Sequence, residues 1–335
     1  MVDIPHPYLL FLGDSPYAKT AAGIRDWQPD KCVGQFRLPG TALDLGLPDM
    51  DLDGAVRAGA RTLVIGASPP GGGLDAAWTG IFVQALERGL HIANGLHVRL
   101  NAIPELAAAA ARSGCRLYDV REPGTEFRIP DFAHRPGRRV LTVGTDCAVG
   151  KKYTALALAR EMRSRGMAAD FRATGQTGIL IAGSGLPIDA VVSDFVAAAA
   201  TTLSPAAAAD HWDVIEGQGS LFHPAYAGVT LGLIHGSQPD ALVLCSDPTR
   251  LTLEGFPHYP QPTLAACIDL YTRVASLTNS GVRVVGISLN TARLSPVQAA
   301  TCVRRCEEDL GLPCIDPLRT GVGRIVDRLQ SMTAE

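Results

Sequence analysis

The stretch Gly144-Thr145-Asp146-Cys147-Ala148-Val149-Gly150-Lys151-Lys152 follows the apolar run Val140 to Val143 and opens a segment with helical periodicity. A buried strand that turns through glycines directly into a helix leaves few folds open, because the helix must cross back over a mainly parallel sheet. Glycines at such a corner let backbone N–H groups curl around an anion at the positive end of the helix, and Lys151 adds a point charge. This is the pattern of a phosphate-binding loop, one residue longer than the common Gly-x4-Gly-Lys spacing. The next residue is Lys152, where a nucleotide hydrolase carries a Ser or Thr hydroxyl for Mg²⁺. A cradle without that hydroxyl points to holding a phosphorylated cofactor rather than cleaving one, with no metal required.

The rest of the chain fits that constraint. Runs rich in Val, Ile and Leu (Tyr8 to Leu12, Thr62 to Ile65, Leu90 to Ala93, Leu117 to Val120) alternate with helix-patterned segments Leu74 to Arg88 and Ile103 to Arg112. Gly89 and Gly114 stand where left-handed helix caps fall. Residues Glu122 to Arg139 carry Pro123, Gly124, Pro130, Pro136 and Gly137 among mixed charges, and there the regular pattern stops. Beyond it strands are expected at Val140 to Val143, Asp170 to Thr174, Asp213 to Glu216, Ala241 to Cys245 and Arg283 to Leu289. Helices are expected at Lys151 to Arg165, near Asp189 to Thr201, at Thr263 to Ser280 and at Pro296 to Leu310. The expected fold is therefore α/β in two domains, 1–135 and 136–335, the second with a mostly parallel sheet.

Composition removes other classes. The 335 residues are 47% hydrophobic with a formal net charge of −3 and no sustained run of Lys or Arg, so nucleic acid and anionic membrane surfaces are not expected partners. No apolar run reaches the ~18 residues of a membrane span, and Met1 to Pro7 lacks a secretory pattern. A cytoplasmic protein is expected. Eight dispersed cysteines form no Cys-x-x-Cys pair, although Cys302 and Cys306 lie one helical turn apart, and they read as reduced thiols.

Candidate chemistry gathers after strand ends, where parallel sheets bind ligands. Glu216-Gly217-Gln218-Gly219-Ser220-Leu221-Phe222-His223 follows one strand: Glu216 and His223 are candidate acids or bases, and Gln218 a substrate contact. His235, in Leu233-Ile234-His235-Gly236, is a third titratable candidate. Gln176 and Thr177, in Thr174-Gly175-Gln176-Thr177-Gly178, suit orientation of a polar substrate. Asp194 could accept an ammonium, or be a first-turn acid favoured by the helix dipole. Asn290 could read an adenine edge, or start a loop. Tyr153 joins the loop's first helical turn. Lys19 and Arg25, near the first strand, could hold a carboxylate, with Arg25 bidentate, and a solvated loop is the alternative. The glycine-rich turn Gly66 to Gly73 contains two prolines, which remove N–H donors that a dinucleotide site needs.

These residues carry a resemblance. Gly144 to Lys151 and Glu216-Gly-Gln-Gly219 are similar to the corresponding loops of dethiobiotin synthetase. The wider set resembles the DgcN-type D-glutamate N-acetyltransferase family: these loops with Ala169-Asp-Phe-Arg-Ala-Thr-Gly-Gln-Thr-Gly178, Glu216 to Leu221, His223-Pro-Ala-Tyr226 and Val229 to Ser237, and with Ala18-Lys-Thr20 and Asn94-Gly-Leu-His97. The resemblance implies an N-terminal Rossmann-like domain, a C-terminal P-loop domain, and acetyl transfer from acetyl-CoA to the amino group of a D-amino acid. The sequence departs from it at Lys152-Tyr153, where Met and Thr are expected. The loop Gly144 to Tyr153 with Asn290 is thus the expected cofactor site. The substrate is a small amino acid, and the oligomeric state, a homo-oligomer included, is left open. The rival cofactor is ATP with Mg²⁺, as in a ligase or kinase, with Thr154 or Glu216 serving the metal. A regulator that binds CoA or a nucleotide without catalysis is the third alternative.

Overall fold

The computed structural model of the chain describes residues 4–15, 18–67, 74–124 and 126–334, and most of the glycine-proline turn, 68–73, lies outside them. The chain forms two compact units, Met1–Gly124 with Gly175–Ala190, and Thr125–Thr174 with Val191–Glu335.

The first unit begins with β1 (Tyr8–Gly13), α1 (Lys19–Trp27), β2 (Cys32–Arg37) and α2 (Leu52–Arg57). It continues with β3 (Thr62–Ile65), α3 (Ala76–Glu87), β4 (His91–Asn94), α4 (Pro104–Ser113) and β5 (Leu117–Asp119). The strands form one parallel sheet in the order β2-β1-β3-β4-β5. β1 is buried along its whole length, as its unbroken Tyr-Leu-Leu-Phe-Leu run requires. Phe11 is edge-on to Trp78 and Phe82 of α3, with ring centroids 5.1 and 5.0 Å away. Such aromatic pairs add about 0.5–1.5 kcal/mol to what burial supplies. Gly114 ends α4 in the left-handed conformation, as expected.

The second unit holds β6 (Arg138–Gly144), α5 (Lys151–Ser164) and β7 (Ala169–Arg172). The next helix, α6 (Gln176–Ala182), belongs to the first unit. The chain then gives α7 (Val196–Leu203), β8 (Trp212–Ile215), α8 (Ala227–Ser237) and β9 (Ala241–Ser246). A short antiparallel pair follows, β10 (Thr252–Leu253) and β11 (Phe256–Pro260), then α9 (Leu264–Ser276). The unit closes with β12 (Arg283–Leu289), α10 (Pro296–Leu310), β13 (Cys314–Ile315) and α11 (Gly323–Ala334). Its parallel sheet runs β13-β12-β9-β6-β8-β7, so the loop from Gly144 to Gly150 leaves a central strand. Ala155, Leu158, Ala159 and Met162 of α5 are buried in one core cluster with Val140, Val214 and Val243 of the sheet.

Two expectations are corrected. The helix expected near Asp189 to Thr201 is two 3₁₀ turns, Ile188–Ala190 and Ser193–Phe195, with the α-helix starting only at Val196. β-Branched Val191 and Val192 and polar Ser193 and Asp194 disfavour α-helix, while the following alanines favour it. The irregular segment expected over Glu122 to Arg139 is shorter: its described residues up to 137 carry neither helix nor strand, but Arg138 and Arg139 already belong to β6. β2 was not expected between the first strand and Thr62. No described helix is long and apolar enough to cross a membrane.

Candidate active site

β6 delivers the loop to the carboxyl edge of the second sheet. Gly150 there has φ +104°, which only glycine adopts easily, and no side chain caps the helix that follows. The first N–H groups of a helix have no acceptor within it, and the positive end of a helix is a geometry that suits an anion. Lys151 is buried, and its Nζ donates to the Asp146 carbonyl at 2.8 Å, curling over the loop. Burial pushes the Lys151 ammonium below its ordinary range, opposed by Cys147, Cys245, Asp146 and Glu216. Lys152, in the first turn, holds its ammonium 5.0 Å from the centre of the Tyr153 ring. Thr154, the alternative metal hydroxyl, is fully buried: it bonds to the Gly150 carbonyl at 3.1 Å and pairs with Ser288 Oγ at 2.8 Å. It faces the core and not a ligand.

The remaining loop residues divide by direction. Thr145 is buried against β9, its N–H on the Cys245 carbonyl and its hydroxyl on Ser246. Asp146 is fully buried, Val149 nearly so, Cys147 is half-buried and Ala148 exposed, at φ +52°. Burial raises the Cys147 thiol above its usual range, with the Lys151 charge opposing. The Gly144 carbonyl accepts from the Tyr271 hydroxyl at 2.7 Å, and the same hydroxyl accepts from the Leu221 N–H at 3.0 Å. Asn290, after β12, reaches the loop: a Cβ on Gly150 would stand 3.8 Å from the Asn290 Cβ.

Glu216 follows β8 and is buried, with Oε2 accepting from the Thr174 N–H at 3.0 Å. The Thr174 hydroxyl donates to the Glu216 carbonyl at 2.7 Å and accepts from Gln218 Nε2 at 3.0 Å. Gly217 passes so close to β6 that a Cβ would overlap the Thr142 carbonyl oxygen and stand 3.1 Å from Lys151 Cδ. Its N–H donates to Thr142 Oγ1 at 2.9 Å, so it serves the fold and does not point to a ligand. His223 is buried and stacked on Tyr226, ring centroids 4.7 Å apart. Its Nδ1 accepts from the Ala225 N–H at 3.2 Å, which leaves the neutral ring's proton on Nε2. That arrangement suits a hydrogen-bond donor rather than a base. Asp146, Cys147 and His223 bring a carboxylate oxygen, a sulfur and a ring nitrogen within 4.8 Å of one another.

The fold does not gather every sequence candidate. α8 leads away from His223, and only three residues separate its end from β9, so His235 sits near the amino end of the sheet, its Nε2 buried without a partner. Asp194 is exposed in a 3₁₀ turn before α7. Gln176 and Thr177 open α6 in the first unit, where Thr177 Oγ1 lies 3.2 Å from the Thr20 hydroxyl. Lys19 is exposed, and Arg25 is held by Asp26 at 2.6 Å and by the Leu45 carbonyl at 2.6 Å. Sequence reasoning did not single out Thr142, Tyr271, Arg250 or Gln261. Their roles arise from tertiary approach, and only the position of Thr142 inside the strand before the loop was a signal.

The folds and the loop define a two-domain α/β protein with a Rossmann-like half and a P-loop half. Residues 127–326 match the P-loop domain of a family described as a domain of unknown function (DUF1611_C), and residues 37–123 match its Rossmann-like domain (DUF1611_N). The chain belongs to this DUF1611 family. It is 51% identical over 98% of its length to the whole of a curated protein from Tritonibacter scottomollicae named D-glutamate N-acetyltransferase. A protein of the same name from Pseudoalteromonas sp. is 46% identical over 98% of the chain and all of that protein. A crystal structure of a DUF1611 family protein from Anabaena variabilis ATCC 29413 is 34% identical, with a TM-score of 0.84 over 97% of this chain and 99% of that one.

Proposed function

We propose that the chain is an N-acetyltransferase that moves acetyl from acetyl-CoA to the amino group of D-glutamate. The observation that carries this reading is likeness along nearly the whole chain to two proteins of that name. The site is compatible with the donor: an uncapped helix end with a buried lysine suits the phosphates of CoA, and Asn290 beside Gly150 suits its adenine. The rival that cleaves ATP needs an oxygen ligand for Mg²⁺: the position after Lys151 offers only the Lys152 ammonium, Thr154 is turned to Ser288, and of the two expected metal partners Glu216 alone remains.

Acyl transfer needs an unprotonated amine and donors for the oxyanion of the tetrahedral intermediate. Glu216, a buried carboxylate beside Lys151, takes the proton from the substrate ammonium. His223 offers Nε2–H as an oxyanion donor, whereas the Gly217 N–H is taken up by Thr142 Oγ1. Gln218 and Thr174 border this site and orient the amino acid.

The test is thiol release from acetyl-CoA with D- and L-amino acids in the presence of EDTA, beside ADP formation from Mg-ATP. Thiol release with D-glutamate that persists in EDTA is expected. ADP formation without thiol release would overturn the reading, and CoA binding without turnover of any amino acid would make the protein a regulator. Replacing Glu216→Gln should lower kcat/KM by about 10²- to 10⁴-fold with CoA affinity near wild type. Unchanged turnover would remove Glu216 from the role.

A further inference from the structure

The Asp146 side chain does not face the anion cradle. Its Oδ1 accepts from the Cys147 N–H at 2.6 Å. Its Oδ2 accepts from three donors of one downstream segment: Arg250 Nη1 at 2.7 Å, the Glu254 N–H at 2.8 Å and Gln261 Nε2 at 3.1 Å. Arg250 also donates to the Cys147 carbonyl at 2.8 Å. These three donors bracket β10 and β11, which among the described residues pair with each other alone and extend neither parallel sheet. A two-stranded hairpin is marginal by itself in water, so its place depends on what fastens it. Here that is one buried carboxylate, whose charge-assisted bonds are about twice as strong as neutral ones.

The fastened hairpin carries an aromatic edge. Phe256 is edge-on to His223 at 4.9 Å between ring centroids, and Tyr259 stands 6.2 Å from Phe256. With Tyr226 stacked on His223, the four rings make a wall beside the phosphate-binding loop, and Tyr226 and Tyr259 remain 52% and 47% exposed. We propose that Asp146 is a positioning residue whose carboxylate clasps the hairpin to the phosphate-binding loop, so that the hairpin rings form the wall for the largely apolar arm between phosphates and thioester of the acyl donor. The identity of that ligand rests on the acetyltransferase reading, whereas the clasp rests on the hydrogen bonds alone.

The test is Asp146→Asn, read by amide hydrogen exchange and by steady-state kinetics. The Glu254 amide, itself a donor to the carboxylate, and its hairpin neighbours should exchange about tenfold faster or more, with amides of β6 and β9 unchanged. KM for acetyl-CoA should rise about tenfold while KM for D-glutamate stays within about twofold. Gln261→Ala, which removes one of the four donors, should shift both readouts the same way by less, and decides the matter if the first variant does not fold. Unchanged exchange at Glu254 in Asp146→Asn, or a rise in both KM values together with faster exchange in β6 and β9, overturns the proposal. If the wild type turns over no acetyl-CoA, the acetyltransferase reading falls and exchange at Glu254 still decides the clasp.

Discussion

Lys151 shows what single residues contribute and how far each was legible. Its place after a strand and a glycine loop announces a cation at a helix end, and the structure puts it there. Its burial adds a consequence that no motif carries. A buried ammonium binds its proton less tightly than the same group in the unfolded chain, whose ordinary value is 10.5. Between the depressed value and that one, the unfolded state holds more protons, so this residue's contribution to stability increases as pH rises across the interval. A phosphate bound beside the ammonium would reverse the shift, so on the proposed reading CoA binding should take up a proton and weaken as pH rises through the same interval. Lys151→Met should therefore bind CoA about 10- to 100-fold more weakly, the loss of a charged hydrogen bond, yet melt at or above the wild-type temperature near neutral pH. Calorimetry in buffers of different ionisation enthalpy checks the proton uptake, and unchanged affinity in the variant would refute the role. Asp146 is the counterexample. It lies in the same motif, but which way its side chain points is decided by Arg250, Glu254 and Gln261, more than 100 positions downstream.

At the scale of elements, β12 and α10 have the boundaries expected from sequence, because each is a clean apolar or amphipathic run with unambiguous ends; Ser295 and Gln298 even close a capping box on α10. α8 was not legible. Its sequence, Ala-Gly-Val-Thr-Leu-Gly-Leu-Ile-His-Gly-Ser, carries glycines every fourth residue, which argues against a helix by propensity. The structure supplies the reason: side chains at Gly232 and Gly236 would overlap Val196 and Ala197, so the stripe lets α7 and α8 approach closely. α9 makes a different contribution. Its buried face of Cys267, Tyr271 and Ala275 reads as packing, yet the Tyr271 hydroxyl joins the end of β6 to the segment carrying Glu216 and His223. Tyr271→Phe should leave the Leu221 N–H and one Gly144 acceptor site unsatisfied at a cost of about 1–3 kcal/mol. The melting temperature should then fall by about 2–4 °C per kcal/mol, and a melt identical to wild type would show that water replaces the hydroxyl without loss.

At the scale of the whole molecule, the chain does not fold as two consecutive pieces. The alternation of strands and helices made both α/β units legible, but nothing in the local pattern marks Gly175–Ala190 as part of the first. α6 carries Ile179, Leu180 and Ile181, all buried, and it packs where α1 and the turn after β4 present glycines: Cβ atoms on Gly23 and Gly95 would stand 3.2 Å from Ile181 and Leu180. The Ile4 N–H donates to the Gly183 carbonyl beyond the helix, and Thr20 meets Thr177. Burying three aliphatic side chains stabilises by about 1.5–3 kcal/mol each, a sum comparable to the whole stability of a typical domain, about 5–15 kcal/mol. A fragment ending at Gly124 should therefore be poorly folded, bind a hydrophobic dye, and lack a cooperative melt, although it contains every strand of its sheet. Joining residues 175–190 to that fragment through a flexible linker should restore a cooperative transition. A fragment 1–124 that melts cooperatively without them would mean that α6 is an appendage and not part of the first core.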